Sequence, residues 1–176
     1  APTPELFVRW CQAGVFYPRF TIHSWNSDGT VNEPWMYPEV LPLIREAIRL
    51  RYRLKPHLKG LMVEAHQTGH PINRPLVYHF ADDSRCRTES FDFMLGADLL
   101  IAPIYQAGER ERVVYLPRGA HGKRWFDYYT GEVYNGGRTV TVPAPLEYTP
   151  VFVRPGARIA PDDGAGGVAY REFPII

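Results

Sequence analysis

The sequence predicts an α/β plus all-β chain: a helix, one barrel-type strand and a long helix, followed by an antiparallel β-sandwich. Three observations predict it. The aromatic and apolar run Phe16 to Ile22 ends on His23, and a loop containing Asn26 and Gly29 follows before Pro38 opens a helical pattern. A buried run, a polar residue at its C-terminal tip, a loop and a covering helix are the marks of a barrel strand. Val40, Leu41, Ile44, Ile48, Tyr52, Leu54, Leu58, Leu61, Met62 and Ala65 then recur at helical spacing. After Gly69 the pattern changes to short runs rich in Val, Ile, Leu, Tyr and Phe, separated by turn signals, which is the sandwich signature.

Taken in order, Glu5 to Phe16 reads as a short helix, with Thr3 as cap, Pro4 at its first position, and Leu6, Trp10 and Ala13 near one face. The preceding Ala1-Pro2-Thr3-Pro4 reads as a loop or a cut. Phe16 to Ile22 is the strand, and Ser24 to Met36 a polar loop turning at Asp28-Gly29. Pro38 to Gly69 is the long helix. Pro56 does not fit a helix interior, so a break is expected near Lys55, and Gly69 terminates the segment. The expected strands are Arg74 to Phe80, Leu99 to Tyr105, Arg112 to Leu116, Arg124 to Tyr129, Thr139 to Val142 and Val151 to Arg154. Asp92 to Gly96 is expected as one helical turn, Gly164 to Gly167 as a linker, and Val168 to Ile176 as a further strand. A lone strand cannot satisfy both its edges, so the first 70 residues read as part of a larger α/β domain.

Composition narrows the function classes. With 176 residues and 45% hydrophobic content the chain can bury a real core. The net charge is +1 with both signs interspersed, and the basic cluster Arg45 to Arg53 reads as a solvated helix face, so no nucleic-acid partner is expected. No apolar run approaches the roughly 18 residues that span a bilayer, and no membrane partner is expected. Two cysteines, Cys11 and Cys86, are too few for a disulfide framework or a zinc site. On spacing alone His23 is an ordinary loop or core histidine, although a neutral imidazole at a strand tip can both donate and accept at a pocket mouth.

A series of short words changes that reading. They are Glu5-Leu6-Phe7-Val8-Arg9-Trp10-Cys11-Gln12, Pro18 to Ser24, Glu33-Pro34-Trp35 and Leu50-Arg51-Tyr52-Arg53-Leu54-Lys55-Pro56. They continue as Arg74-Pro75-Leu76, Phe93-Met94-Leu95-Gly96, Leu99-Leu100-Ile101-Ala102-Pro103, Val114-Tyr115-Leu116-Pro117 and Pro150-Val151-Phe152-Val153-Arg154. In this order and spacing the chain resembles the C-terminal part of glycoside hydrolase family 31, the retaining α-glucosidases and α-xylosidases.

The resemblance implies that residues 1–70 are the last strand and helices of a (β/α)8 barrel, 71–160 the family's proximal β-sandwich, and 161–176 a linker and the start of a distal β-domain. Retaining hydrolysis uses two carboxyl groups about 5–5.5 Å apart. The family's pair are aspartates on barrel strands upstream of the matched region, so no catalytic residue is expected here. Asp82, Asp83, Asp92, Asp98, Asp127, Glu132, Asp162 and Asp163 read as turn or strand-edge residues, while Asp28 and Glu33 lie in the loop after the strand.

His23 matches the family histidine that hydrogen-bonds the sugar in the catalytic subsite. Many members carry an arginine two residues earlier, where this chain has Thr21. Arg19, an even number of residues from His23 and so on the same strand face, is the candidate to replace it. Trp25 is a candidate stacking surface for a sugar ring, and Trp35 is expected to pack at the start of the long helix. Neither a metal nor an organic cofactor is implied. The expected partners are an α-glycoside and the remainder of the barrel, or another chain supplying it. A different class of function, a non-catalytic sandwich that binds carbohydrate or protein through aromatics such as Trp125 and Tyr128, predicts that residues 71–160 fold alone.

Overall fold

The structure is a computed structural model describing residues 1–89, 91–118, 123–161 and 170–175. The linker expected at Gly164 to Gly167 and the pair Asp162 and Asp163 lie outside the described residues.

Helix α1, Pro4–Gly14, starts where Thr3 Oγ1 accepts the Leu6 amide at 3.3 Å, with proline at its first position. Its buried face carries Phe7, Val8, Cys11 and Ala13. Leu6 and Trp10, expected on the packed face, are instead 53% and 67% exposed. The helix therefore has two apolar faces, and the periodicity alone does not say which one this chain covers. The break expected near Lys55 is present: α2 spans Leu41–Arg53 and α3 Lys55–Thr68, with Leu54 between them. Pro56 lacks the N–H that a continuous helix would donate to the preceding turn. Gly69, at φ 77°, closes α3 by donating to the Ala65 carbonyl at 3.0 Å.

The β region holds β1 Asn73–Pro75, β2 Phe93–Leu95, β3 Leu99–Ile101, β4 Glu111–Leu116, β5 Arg124–Asp127, β6 Val133–Asn135, β7 Arg138–Pro143, β8 Val151–Val153, β9 Arg158–Ile159 and β10 Arg171–Glu172. Two expectations are corrected. The strand predicted over Arg74 to Phe80 stops at Pro75, and Leu76–His79 forms a short helix, α4. One turn of helix brings Leu76 and Phe80, four residues apart, into the same core. The helical turn predicted at Asp92 to Gly96 is β2, paired to β1 on one edge and β3 on the other. A strand buried on both faces reads as a continuous apolar run, which periodicity does not separate from a helical turn.

The sheet order is β1-β2-β3-β8-β5-β6, every neighbour antiparallel, with β4 and β7 forming a separate antiparallel pair. Side-chain alternation makes the six-stranded sheet the middle of three layers. Met94, Leu100, Trp125 and Phe152 share a core with Val114 and Leu116 of β4 and Val142 of β7. Their sequence neighbours Leu95, Leu99, Ile101, Phe126, Val151 and Val153 share a second core with Phe7, Val8, Cys11, Ile44, Ala47, Leu54, Leu58 and Leu61 of the helical region. Each such side chain contributes about 1.5–3 kcal/mol when buried. Six of them approach the whole stability of a domain, about 5–15 kcal/mol. The helices complete the core on this face of the sandwich. The C-terminal segment returns to the same body, since β10 pairs with β9 and Phe173 packs on Phe126 at 5.5 Å.

Candidate functional site

The strand expected over Phe16 to Ile22 is not formed among the described residues: Phe16 lies in a turn, Tyr17 to Arg19 are bends, and Phe20 to Ile22 have no regular secondary structure and no ladder. Phe16 and Tyr17 still belong to the turn that leaves α1, donating to the Ala13 and Gly14 carbonyls at 3.1 Å each. From Phe20 to His23 the side chains alternate between two grooves. Phe20 and Ile22 line one groove with Ile48, Leu58 and Met62 of the helices. Thr21, His23 and Ser24 line a second groove, about 410 Å³, with Leu6, Phe7 and Trp10 of α1 and Asn32 of the following loop. A strand is defined by its neighbours, and the ladder partners of this one are not among the described residues.

The loop that follows is a small hairpin. Trp25 bridges Val31, Asn32 donates to the Ser24 carbonyl at 2.8 Å, and Asn26 donates to that of Thr30 at 2.7 Å. Asp28 accepts from both the Thr30 amide, 3.0 Å, and its hydroxyl, 2.6 Å. The Thr30 hydroxyl, followed by its backbone N–H, holds the Asp28 carboxyl below its usual range. Asp28 thus locks a turn, with Gly29 at φ 83° completing it. The hairpin presents Trp25 beside His23 with 82% of its surface free. Arg19 and His23 are also exposed. Trp35, expected to pack at the start of the long helix, is 61% exposed.

Four further carboxylates, Asp83, Asp92, Asp127 and Glu132, have structural occupations. Asp83 accepts the Arg85 amide at 3.1 Å and the Tyr115 hydroxyl at 2.6 Å. Asp127 accepts the Tyr129 and Thr130 amides at 2.7 and 2.8 Å, and Glu132 accepts the Tyr134 hydroxyl at 2.8 Å. Asp92 departs from the turn-residue reading. It is 3% exposed and pairs with Arg112, 2.7 Å from Oδ1 to Nη2, inside the sandwich. Burial pushes its carboxyl up to about 7, and Arg112 offsets only part of that. The two aromatics that a binding sandwich would expose are otherwise used. Trp125 is 2% exposed and donates from Nε1 to the Pro117 carbonyl at 2.9 Å. Tyr128 is half-buried, with the Arg171 guanidinium 5.0 Å from its ring. Both cysteines are free and buried, their thiols pushed up to about 12, chiefly by burial.

The sequence reading missed the groups that hold the segment in place. Arg51, counted there as part of a solvated helix face, donates to three carbonyls: Val15 at 2.8 Å, Tyr17 at 2.5 Å and Pro18 at 2.8 Å. Asn73 of β1 donates to the carbonyl between them, Phe16, at 2.9 Å. A signal was present, because Arg51 follows Ile44, Ala47 and Ile48 at the i+7, i+4 and i+3 spacings and so continues their stripe. Arg9, 5% exposed, similarly ties α1 to the sandwich. Its guanidinium donates to the carbonyls of Ala144 at 2.7 Å, Pro145 at 2.8 Å, and Tyr148 and Glu109 at 3.2 Å each.

A histidine-bearing segment flanked by helices and backed by an antiparallel sandwich fits the end of an α/β barrel joined to a β-domain. The chain belongs to glycoside hydrolase family 31. Residues 1–61 match the model of the glycosyl hydrolases family 31 TIM-barrel domain, and residues 69–159 that of the glycosyl hydrolase family 31 C-terminal domain. The chain is 41% identical over 160 residues to alpha-glucosidase 2 of Bacillus thermoamyloliquefaciens, covering 90% of this chain and 20% of that protein. It is 38% identical over 156 residues to an alpha-xylosidase of Saccharolobus solfataricus, covering 87% and 20%. Among solved structures, a GH31 dextranase of Flavobacterium johnsoniae complexed with glucose superposes with a TM-score of 0.88 at 33% identity, covering 98% of this chain and 22% of that one. The chain spans about a fifth of the length of the curated relatives it matches.

Proposed function

We propose that this chain is the C-terminal portion of a retaining α-glycosidase acting on α-linked glucosides or related sugars. It supplies one wall of the sugar subsite and no catalytic carboxylate. The observation that carries the reading is the alternation of the segment: Thr21 and His23 line one groove while Phe20 and Ile22 line the other. His23 is thereby free to donate to or accept from a sugar hydroxyl, and the apolar partners of the segment anchor it against the helices. Trp25, held on its hairpin, offers an indole face to the apolar face of a pyranose. Arg19 is the remaining cation close enough in sequence to reach the same subsite.

The nucleophile and the acid/base are supplied by barrel strands outside this chain. One carboxylate attacks the anomeric carbon while the second protonates the departing glycosidic oxygen, giving a glycosyl-enzyme; the second then takes a proton from the water that hydrolyses it and frees the first. Structural duties already occupy Asp28, Asp83, Asp92, Asp127 and Glu132, which supports this division of labour. The larger barrel also accounts for the exposed Leu6, Trp10, Tyr52 and Met62, as an unpaired barrel end leaves such faces open.

The test is hydrolysis of aryl α-glucoside, aryl α-xyloside and an α-linked glucan by the larger protein, with product anomers followed by NMR and this chain alone as control. The expected result is release of the α-anomer by the larger protein and no turnover by the chain alone. Turnover by the chain alone, abolished by changing one of its own carboxylates, would overturn the reading.

A further inference from the structure

We propose that Arg51 and Asn73 are positioning residues for His23, and that through Asn73 the sandwich helps to set the geometry of the sugar subsite. The inference rests on the reading of His23 as a sugar contact. Four successive backbone carbonyls, from Val15 to Pro18, are held by side chains that come from elsewhere in the fold. Arg51 on α2 takes those of Val15, Tyr17 and Pro18 at 2.5–2.8 Å, and Asn73 on β1 takes that of Phe16 at 2.9 Å. Phe93 of β2 adds a third hold, its ring stacked on that of Tyr17 with centroids 5.5 Å apart and planes at 23°. Both Asn73 and Phe93 belong to the six-stranded sheet, where Asn73 pairs with Leu95 and Phe93 with Pro75.

The clamp lies directly before Phe20 to His23, whose side chains alternate between two grooves, so its constraint acts with a period of two. His23 lies five residues after Pro18, a reach of at most roughly 16 Å at about 3.3 Å per residue. A slip of one residue at the clamp would turn His23 from the groove it shares with Thr21 to the groove of Phe20 and Ile22. A partial release displaces the imidazole along or across the groove instead. Charge-assisted bonds to three carbonyls from one planar guanidinium fix both position and orientation, which a lysine's single ammonium on a flexible stem does not reproduce. Asn73 has one donor in place, and a leucine of the same shape removes it without opening a cavity.

The experiment is a double-mutant cycle in the larger protein, reading kcat/KM on an aryl α-glycoside. The variants are Arg51→Lys, Asn73→Leu and His23→Ala, singly and in pairs. A displacement of about 1 Å at a contact residue lowers turnover by up to about a hundredfold. Arg51→Lys and Asn73→Leu are therefore each expected to lower kcat/KM by about tenfold or more, and to lose most of that effect in the His23→Ala background. A merely structural role would lower kcat/KM equally in both backgrounds, and that additive result overturns the proposal. So does full activity in both single variants. If Arg51→Lys does not fold, Asn73→Leu and Phe93→Leu carry the same cycle. If His23→Ala alone leaves kcat/KM unchanged, the sugar-contact reading fails and the positioning role fails with it. If His23→Ala lowers kcat/KM and the clamp effects add, only the positioning role fails.

Discussion

Nη2 of Arg9 lies 2.7 Å from the carbonyl oxygen of Ala144, so a guanidinium on the first helix is held by a loop of the sandwich. Three further loop carbonyls and the Gln12 side chain share the same guanidinium, and Gln12 itself donates to Leu146 at 2.7 Å. The barrel end and the sandwich are thus joined by buried polar bonds as well as by a shared apolar core.

Arg9→Ala would leave those carbonyls buried without donors, and a buried bond to a charged donor is worth about 1.5–3 kcal/mol. The expected outcome is a loss of at least about 3 kcal/mol in the larger protein, measured as a lower denaturant midpoint. Gln12→Leu, which orphans only Leu146, is expected to cost about 1–3 kcal/mol in the same measurement.

Gly96, at φ 62°, turns the chain between β2 and β3, and a Cβ there would sit 2.5 Å from Leu61 Cδ2 of α3. Gly96→Ala combines left-handed strain of about 1–2 kcal/mol with overpacking of about 1–3 kcal/mol. Gly108, at φ 79° with nothing near its Cβ direction, serves as the comparison. Gly96→Ala is expected to lower the unfolding midpoint well below Gly108→Ala, and Leu61→Ala to recover part of the difference.

Asp92 makes the stability depend on pH. Burial raises its carboxyl to about 7, Glu89 adds to the rise, and Arg112 opposes it. A folded-state value above the unfolded one means that the native state binds the proton more tightly. The contribution is then fully present below the unfolded value, about 3.9, and is lost as pH rises through about 7. Stability of the native protein relative to Asp92→Asn is expected to fall across that window and to level off above it, read from denaturant midpoints at stepped pH. A difference that rises with pH would show the Arg112 pair to dominate burial.

Much of the helical part was legible from sequence because its signals are local: Thr3 and Pro4 start α1, Pro56 breaks the long segment, and Gly69 ends it. The strands around Leu99, Arg112, Arg124, Thr139 and Val151 were legible for the same reason, as turn residues bracket them. Phe93–Leu95 was not, because a strand covered on both faces loses its alternation. Leu76–His79 was not, because Leu76, Tyr78 and Phe80 fit a strand as well as a turn of helix. In the site, the family words singled out His23, and the stacking chemistry of an indole in the loop singled out Trp25. Of the clamp, only the inward place of Arg51 on its helix was legible; the carbonyls that Arg51 and Asn73 meet lie 33 to 57 residues away. Backbone carbonyls leave no trace in a residue pattern.

Trp25 is exposed and makes one backbone bridge, so Trp25→Ala should change stability by no more than about 0.5 kcal/mol. Lost stacking of about 0.5–1.5 kcal/mol against a sugar corresponds to a rise in KM of roughly two- to tenfold. Steady-state kinetics with an unchanged unfolding midpoint would give that outcome.

The most direct measurement is kcat/KM of the larger protein with His23→Ala on an aryl α-glycoside, alongside its unfolding midpoint. Loss of a hydrogen bond that strengthens toward the transition state predicts a fall of at least about tenfold. The midpoint should not move, since the imidazole is exposed. An unchanged kcat/KM with an unchanged midpoint would contradict the assignment of this segment to the sugar subsite.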